Sequence, residues 1–154
     1  MEANVAAVEE SINILVAQLQ QEGTLDEQFE QLMALQDDAN PDFVAEVVQL
    51  YFEDSVQKID RMGAMLSPPV PDFKELDQLV HQFKGSSASL GAATIAHLCI
   101  KMREGCQTLD QQMCTALLGQ LRDSYLLLKG KLDMFMALEQ QRKQLVAALA
   151  MGGR

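Results

Sequence analysis

Basic charge is scarce in this sequence: 12 lysines and arginines stand against 22 aspartates and glutamates, a formal net charge of -10. Such a surface repels phosphate backbones and anionic lipids, so neither nucleic acid nor a membrane is an expected partner. No apolar run is long enough to span a bilayer. Residues 1–10 contain glutamates but neither lysine nor arginine, and so lack the basic start of a signal or transit peptide. Cysteine is also sparse. Cys99, Cys106 and Cys114 are odd in number and show no C-x-x-C spacing, which argues against a disulfide scaffold and a zinc or redox site and predicts reduced, buried thiols. A Gly-rich phosphate loop, a Walker lysine and clustered acidic metal ligands are missing as well. We therefore expect no cofactor, no metal and no ATP-driven chemistry.

What is present is helical periodicity. At 154 residues and 48% hydrophobic content the chain suits a single domain over 1–154 with a substantial core. Val5, Val8, Ile12, Leu15 and Leu19 recur at steps of three and four, and Gly23 follows as a stop. Thr24 and Glu27 read as a capping box for a short second helix carrying Phe29, Leu32 and Leu35. Asn40 and Pro41 read as the N-cap and first turn of a third helix with Val44, Val48, Tyr51, Ile59, Met62 and Leu66, ended by "SPPVP". Asp72 and Glu75 open a fourth, with Phe73, Leu76, Val80, Phe83 and Leu90 on its stripe and Gly91 as terminator. A fifth runs from about Ala92 to Cys106 through Ile95, Leu98, Cys99 and Met102. The last begins near Asp110, repeats Leu117, Leu121, Leu128, Leu132 and Phe135, and thins out toward "MGGR". Methionines such as Met33, Met62, Met102 and Met134 read as core filler.

No strand pattern of useful length competes. The expected class is all-α, an up-and-down antiparallel four-helix bundle with two additional N-terminal helices. The bundle core should span about 41–140, with 1–39 holding the N-terminal helices and 141–154 a C-terminal extension.

One stretch resists a purely structural reading. "VHQFKGSSASLGA", residues 80–92, places a glycine and three serines where alanine or leucine would make a better helix. Gly85 alone costs about 1 kcal/mol in a helix interior. At the helical turn angle His81 lies about 160° from the core residue Phe83 and so faces outward. Asp77, Gln78, Lys84, Gly85 and Ala88 share its side of the helix. An exposed neutral imidazole is a good nucleophile that can carry a labile phosphoryl group, Lys84 can balance the added charge, and small residues around the histidine leave room for an approaching protein.

"HQFKGSSASLGA" resembles the H-x-[LF]-K-G-S-S-x-x-[LIV]-G-A signature of histidine-containing phosphotransfer (HPt) proteins. The upstream "LDEQFEQLMALQDDANPDFVAEVVQLYFEDS" and the C-x-x-x-R-x-x-C spacing of Cys99, Arg103 and Cys106 resemble the plant subgroup that relays cytokinin signals. The similarity covers roughly residues 24–140. It implies a six-helix protein in which His81 is the phosphoacceptor and Lys84 and Arg103 stabilise the phosphate. By the same similarity Gln82 and Gly85 line the receiver-docking surface and Ser86 supports the local geometry; with the face-sharing Asp77, Gln78 and Ala88 they complete the expected docking set. The implied partners are receiver domains of hybrid histidine kinases and of response regulators, served by a monomer. Its 17.0 kDa mass allows passive passage between cytoplasm and nucleus, and both are expected locations. The chain departs from the plant pattern at Ala93-Thr94, where a Gln-Arg pair is usual, which would remove contacts at the rim of the docking face.

The bland readings set the standard each residue must beat. His97 has no lysine or glycine at matching offsets and is read as structural or solvent-facing, with no role. Lys84 alone would be a solvated charge, and Arg103 could simply pair with Glu104 or a carboxylate on another helix. Two alternatives to a phosphorelay carrier remain open on the residues: a helical adaptor that uses no phosphate, and an enzyme with His81 as general base, for which no orienting carboxylate or concave pocket is evident.

Overall fold

A computed structural model describes residues 2–152. They form six helices: α1 (Glu2–Gln21), α2 (Glu27–Leu35), α3 (Phe43–Leu66), α4 (Phe73–Leu90), α5 (Ala93–Gln107) and α6 (Gln111–Gly152). Helices α3, α4, α5 and α6 pack each on the next, and α6 closes the ring on α3. Short connections make successive helices antiparallel. Helix α1 lies on α6, while α2 wedges against α4 and α3. The expected four-helix bundle with two added N-terminal helices is the architecture found.

The predicted stripes supply the core. Val48, Met62, Leu76, Val80, Phe83, Cys99, Met102, Leu121, Leu132 and Phe135 are fully buried. Phe29 of α2 meets Phe135 of α6 edge-on at 5.2 Å between ring centroids, an arrangement aromatic quadrupoles favour. Two expected core residues turn outward: Leu35 is 64% exposed and Met134 53%. The three cysteines are free and buried, and burial pushes the Cys99 and Cys106 thiols up to about 12, which keeps them protonated and unreactive.

Helix α4 begins and ends as its sequence predicts. Asp72 Oδ1 accepts from the Glu75 amide, and Gly91 adopts a left-handed φ of 90°. A side chain at Gly91 would also collide with α2, since its Cβ would fall 2.7 Å from the Phe29 backbone nitrogen. Two other starts differ from expectation. The N-cap of α2 is Asp26, whose side chain accepts from the Gln28 amide, not Thr24. The Asp26 amide donates to Gly91 O, and this tertiary bond places the cap. Helix α3 starts at Phe43 rather than at Asn40-Pro41; its N-cap, Asp42, makes no side-chain capping bond. Gln36 does that work from the preceding loop, its Oε1 accepting from the Val44 amide at 3.0 Å.

Helix α6 does not thin out before the end of the described chain. It runs 42 residues to Gly152, about 60 Å at 1.5 Å per residue. Residues 141–152 of the expected C-terminal extension are thus the last part of this helix, and the end of "MGGR" lies outside the described residues. The helix end is tied back to the bundle by an ion pair between Lys143 and Asp42 and by the nearly buried Glu139, which accepts from Arg142 at 2.6 Å and from Gln36 at 3.2 Å.

Candidate functional site

Helix α4 buries Leu76, Leu79, Val80, Phe83, Ser87 and Leu90, and this apolar face fixes the rotation of the other. His81, Gln78, Gln82, Gly85 and Ala88 are exposed, with Asp77 and Lys84 half-buried beside them. Nothing lies within 4 Å of where a Gly85 Cβ would be, so the surface one turn beyond His81 is open. His97, expected to be structural or solvent-facing, is exposed on α5.

An arginine from the neighbouring helix reaches the imidazole. Arg103 NH1 lies 2.9 Å from His81 Nδ1. Its Nε donates to Asp77 Oδ1 at 3.0 Å and its NH2 reaches Asp77 Oδ2 at 3.4 Å. The fork geometry of guanidinium suits a bidentate carboxylate, and the hydrogen bond that Arg103 donates to Asp77 is the chief cause holding its guanidinium above the ordinary pKa. Asp77 was expected on the docking surface; here its carboxylate is committed to orienting Arg103. The α4–α5 pairing that joins them separates them by 26 residues in sequence, so spacing alone gives no sign of it.

Lys84 makes neither a hydrogen bond nor an ion pair among the described residues, and its charge lies close enough to Cys99 to offset part of the upward push of burial on that thiol. An ammonium without a carboxylate partner, on the imidazole's side of the helix, can neutralise an anion placed there. Ser86, expected to support the local geometry and to join the docking set, is turned away from the imidazole. It lies about 140° round the helix from His81, donates to Phe83 O at 3.2 Å, and lines a mostly apolar groove with Leu32, Val47, Leu50 and Leu90.

The serines have separate explanations. Ser89 donates to Gly85 O within the helix. Ser87 is wholly buried, with its Oγ 2.9 Å from the Tyr51 hydroxyl. Tyr51 in turn stacks on Phe83 at 6.3 Å, and burial raises its phenol far out of the ordinary range. This α3–α4 link lies directly behind the exposed face, and sequence reasoning missed it; the signal was a serine on the Phe83 side of the wheel. Thr94, at the departure from the plant pattern, donates to Gly23 O at 2.9 Å and so ties the start of α5 to the α1–α2 turn.

Comparison with known proteins places this arrangement. The model of the Hpt domain matches residues 46–150, and the chain belongs to that family. It is 43% identical over 120 residues to histidine-containing phosphotransfer protein 1 of Arabidopsis thaliana, a match covering 78% of each chain. Among solved structures, the histidine-containing phosphotransfer protein of Medicago truncatula superposes with a TM-score of 0.84 at 38% identity, covering 90% of this chain and 94% of that one. The maize protein of the same description gives 0.82 at 39% identity, covering 87% and 98%. The plant HPt resemblance drawn from the motif therefore holds across the fold.

Proposed function

We propose that His81 is a phosphoacceptor in a multistep phosphorelay. Its Nε2 attacks the phosphorus of an aspartyl phosphate on the receiver domain of a hybrid histidine kinase. Attack uses the minor ring tautomer, with its proton on Nδ1 and its lone pair on Nε2. The Nε2–P bond forms and the O–P bond breaks with its electron pair left on the aspartate carboxylate. The Nδ1 proton then passes to solvent, leaving Nδ1 to accept from Arg103. The reverse sequence on a second receiver hands the phosphoryl group to the aspartate of a response regulator. The observation that carries this reading is the exposed imidazole with one nitrogen held by Arg103 and the other without a hydrogen-bond partner among the described residues.

The chain in this reading is a carrier, not a kinase, and works as a monomer. His81 sits on a convex helix face and outside the clefts at Gln36–Arg142, Val70–Lys74 and Asp60–Arg122; general-base catalysis would call for a concave site. Lys84 and Arg103 supply positive charge beside the phosphoryl group, while Gln78, Gln82, Gly85 and Ala88 form the surface on which the receiver rests. The motif's similarity to the plant subgroup supports cytokinin signalling as the pathway, acting across cytoplasm and nucleus. The test is incubation with a phosphorylated receiver domain. Acid-labile, alkali-stable label on His81 is the expected result, and a chain that binds receivers but takes no label would be a helical adaptor instead.

A further inference from the structure

Arginine has five donors and no acceptor, so in the 2.9 Å contact between Arg103 NH1 and His81 Nδ1 the ring supplies the lone pair. A neutral imidazole held this way carries its proton on Nε2. From this geometry we propose that Arg103 is a positioning residue that keeps Nδ1 of phosphorylated His81 free of a proton and so lengthens the lifetime of the phosphohistidine against water. The proposal rests on the reading of His81 as a phosphoacceptor through Nε2.

The reason lies in the leaving group. When water attacks the phosphorus, the Nε2–P bond breaks and its electron pair returns to the ring, while the attacking water loses a proton and inorganic phosphate departs. A ring protonated on Nδ1 leaves as neutral imidazole. A ring without that proton must leave as imidazolate, which is a far poorer leaving group. To reach Nδ1 a proton must displace the Arg103 donor and set a cationic ring against a guanidinium. Arg103 is not free to swing aside, because Asp77 grips it through Nε and NH2. Asp77 stands one turn before His81 on the same helix, so a single rigid element sets the distance from carboxylate to ring. Lys84, the other cation on this side, makes no hydrogen bond to the ring among the described residues.

The inference can be tested without any receiver. Potassium phosphoramidate phosphorylates accessible imidazoles directly, and on the full chain it would label both His81 and His97. His97 is exposed and makes no side-chain hydrogen bond among the described residues, so its phosphohistidine is an internal reference in the same tube. Phosphorus NMR at neutral pH follows both lifetimes, and nitrogen-15 NMR of the unmodified protein reads the His81 tautomer. We expect Arg103→Ala to shorten the His81 phosphohistidine lifetime about tenfold, the scale of one charge-assisted hydrogen bond, with the His97 lifetime unchanged and the Nε2–H fraction at His81 lowered toward that of a free histidine. Asp77→Asn should act in the same direction and less strongly, and it serves should Arg103→Ala fail to fold by circular dichroism. An unchanged His81 lifetime in the folded variants, an equal shortening at His97, or an Nδ1–H tautomer in the parent would overturn the proposal. Because the label comes from phosphoramidate, failure of a receiver to phosphorylate His81 would count against the relay reading and leave the lifetime result standing.

Discussion

The Tyr51 hydroxyl and Ser87 Oγ lie 2.9 Å apart in the core between α3 and α4, which makes a serine of the site motif part of the fold. Ser87 is 0% exposed and Tyr51 5%, so neither hydroxyl can turn to water instead. Ser87→Ala leaves the phenol short of a partner, at a cost of about 1–3 kcal/mol. Thermal unfolding should show Tm lowered by several degrees, and adding Tyr51→Phe should recover much of the loss, because removing both hydroxyls leaves no stranded polar group. A double variant less stable than Ser87→Ala by the full single-mutant cost of Tyr51→Phe would show the two hydroxyls to be independent.

His81→Gln should abolish phosphoryl acceptance and change stability by no more than about 0.5 kcal/mol, as expected of an exposed position. Glutamine suits the site because its oxygen can accept from Arg103 as Nδ1 does. Label from a phosphorylated receiver, followed by mapping of the modified residue, checks this; retention of label at wild-type levels or its appearance on His97 contradicts the assignment.

Gly85→Gln should leave the fold intact while hindering transfer. Helix propensity improves by a few tenths up to about 1 kcal/mol, and the new Cβ meets nothing within 4 Å. The long side chain then stands one turn from His81, where a receiver must approach. Gly91→Ala is the contrasting control. There the left-handed φ of 90° and the Phe29 nitrogen at 2.7 Å predict clear destabilisation. Denaturation curves and receiver-binding measurements on the two variants separate the effects, and normal binding by Gly85→Gln would mean that the open surface is not a docking surface.

Lys84→Ala should slow transfer by about tenfold, within the range of one charge-assisted hydrogen bond partly screened by water and salt. Lysine balances charge without forming a bond to phosphorus, so activity should fall without vanishing, and Lys84→Arg should recover part of it. Single-turnover rates from a phosphorylated receiver at low and moderate salt provide the measurement. A rate equal to the parent's would mark Lys84 as an ordinary surface charge.

The parts of this molecule legible in its sequence are those set by near neighbours. Asp72 caps an amide three residues away and Gly91 ends the same helix by its own backbone freedom, so α4 and the outward direction of His81 follow from local pattern. The starts of α2 and α3 are decided at a distance. Asp26 becomes a cap because its amide meets Gly91 O, and Gln36 can cap α3 while its amide group is held by Glu139, 103 residues on. The same holds within the site. Lys84 was readable from its offset to His81, whereas the Asp77–Arg103–His81 chain depends on the register of α4 against α5, which no one-helix pattern contains.

The junction at Gly91 has a consequence for partner recognition. Because Asp26 bonds to its carbonyl and Phe29 fills the space beside it, α4 is anchored at its C-terminal end by α2 and cannot slide along its axis without moving the N-terminal helices. Along its buried side it is fastened to α3 through Tyr51 and Ser87, and on its outer side to α5 through Asp77 and Arg103. For the receiver contact proposed above, α4 is a stamp that is already cut: the partner must conform to one fixed relief, and little ordering entropy on this side opposes its binding.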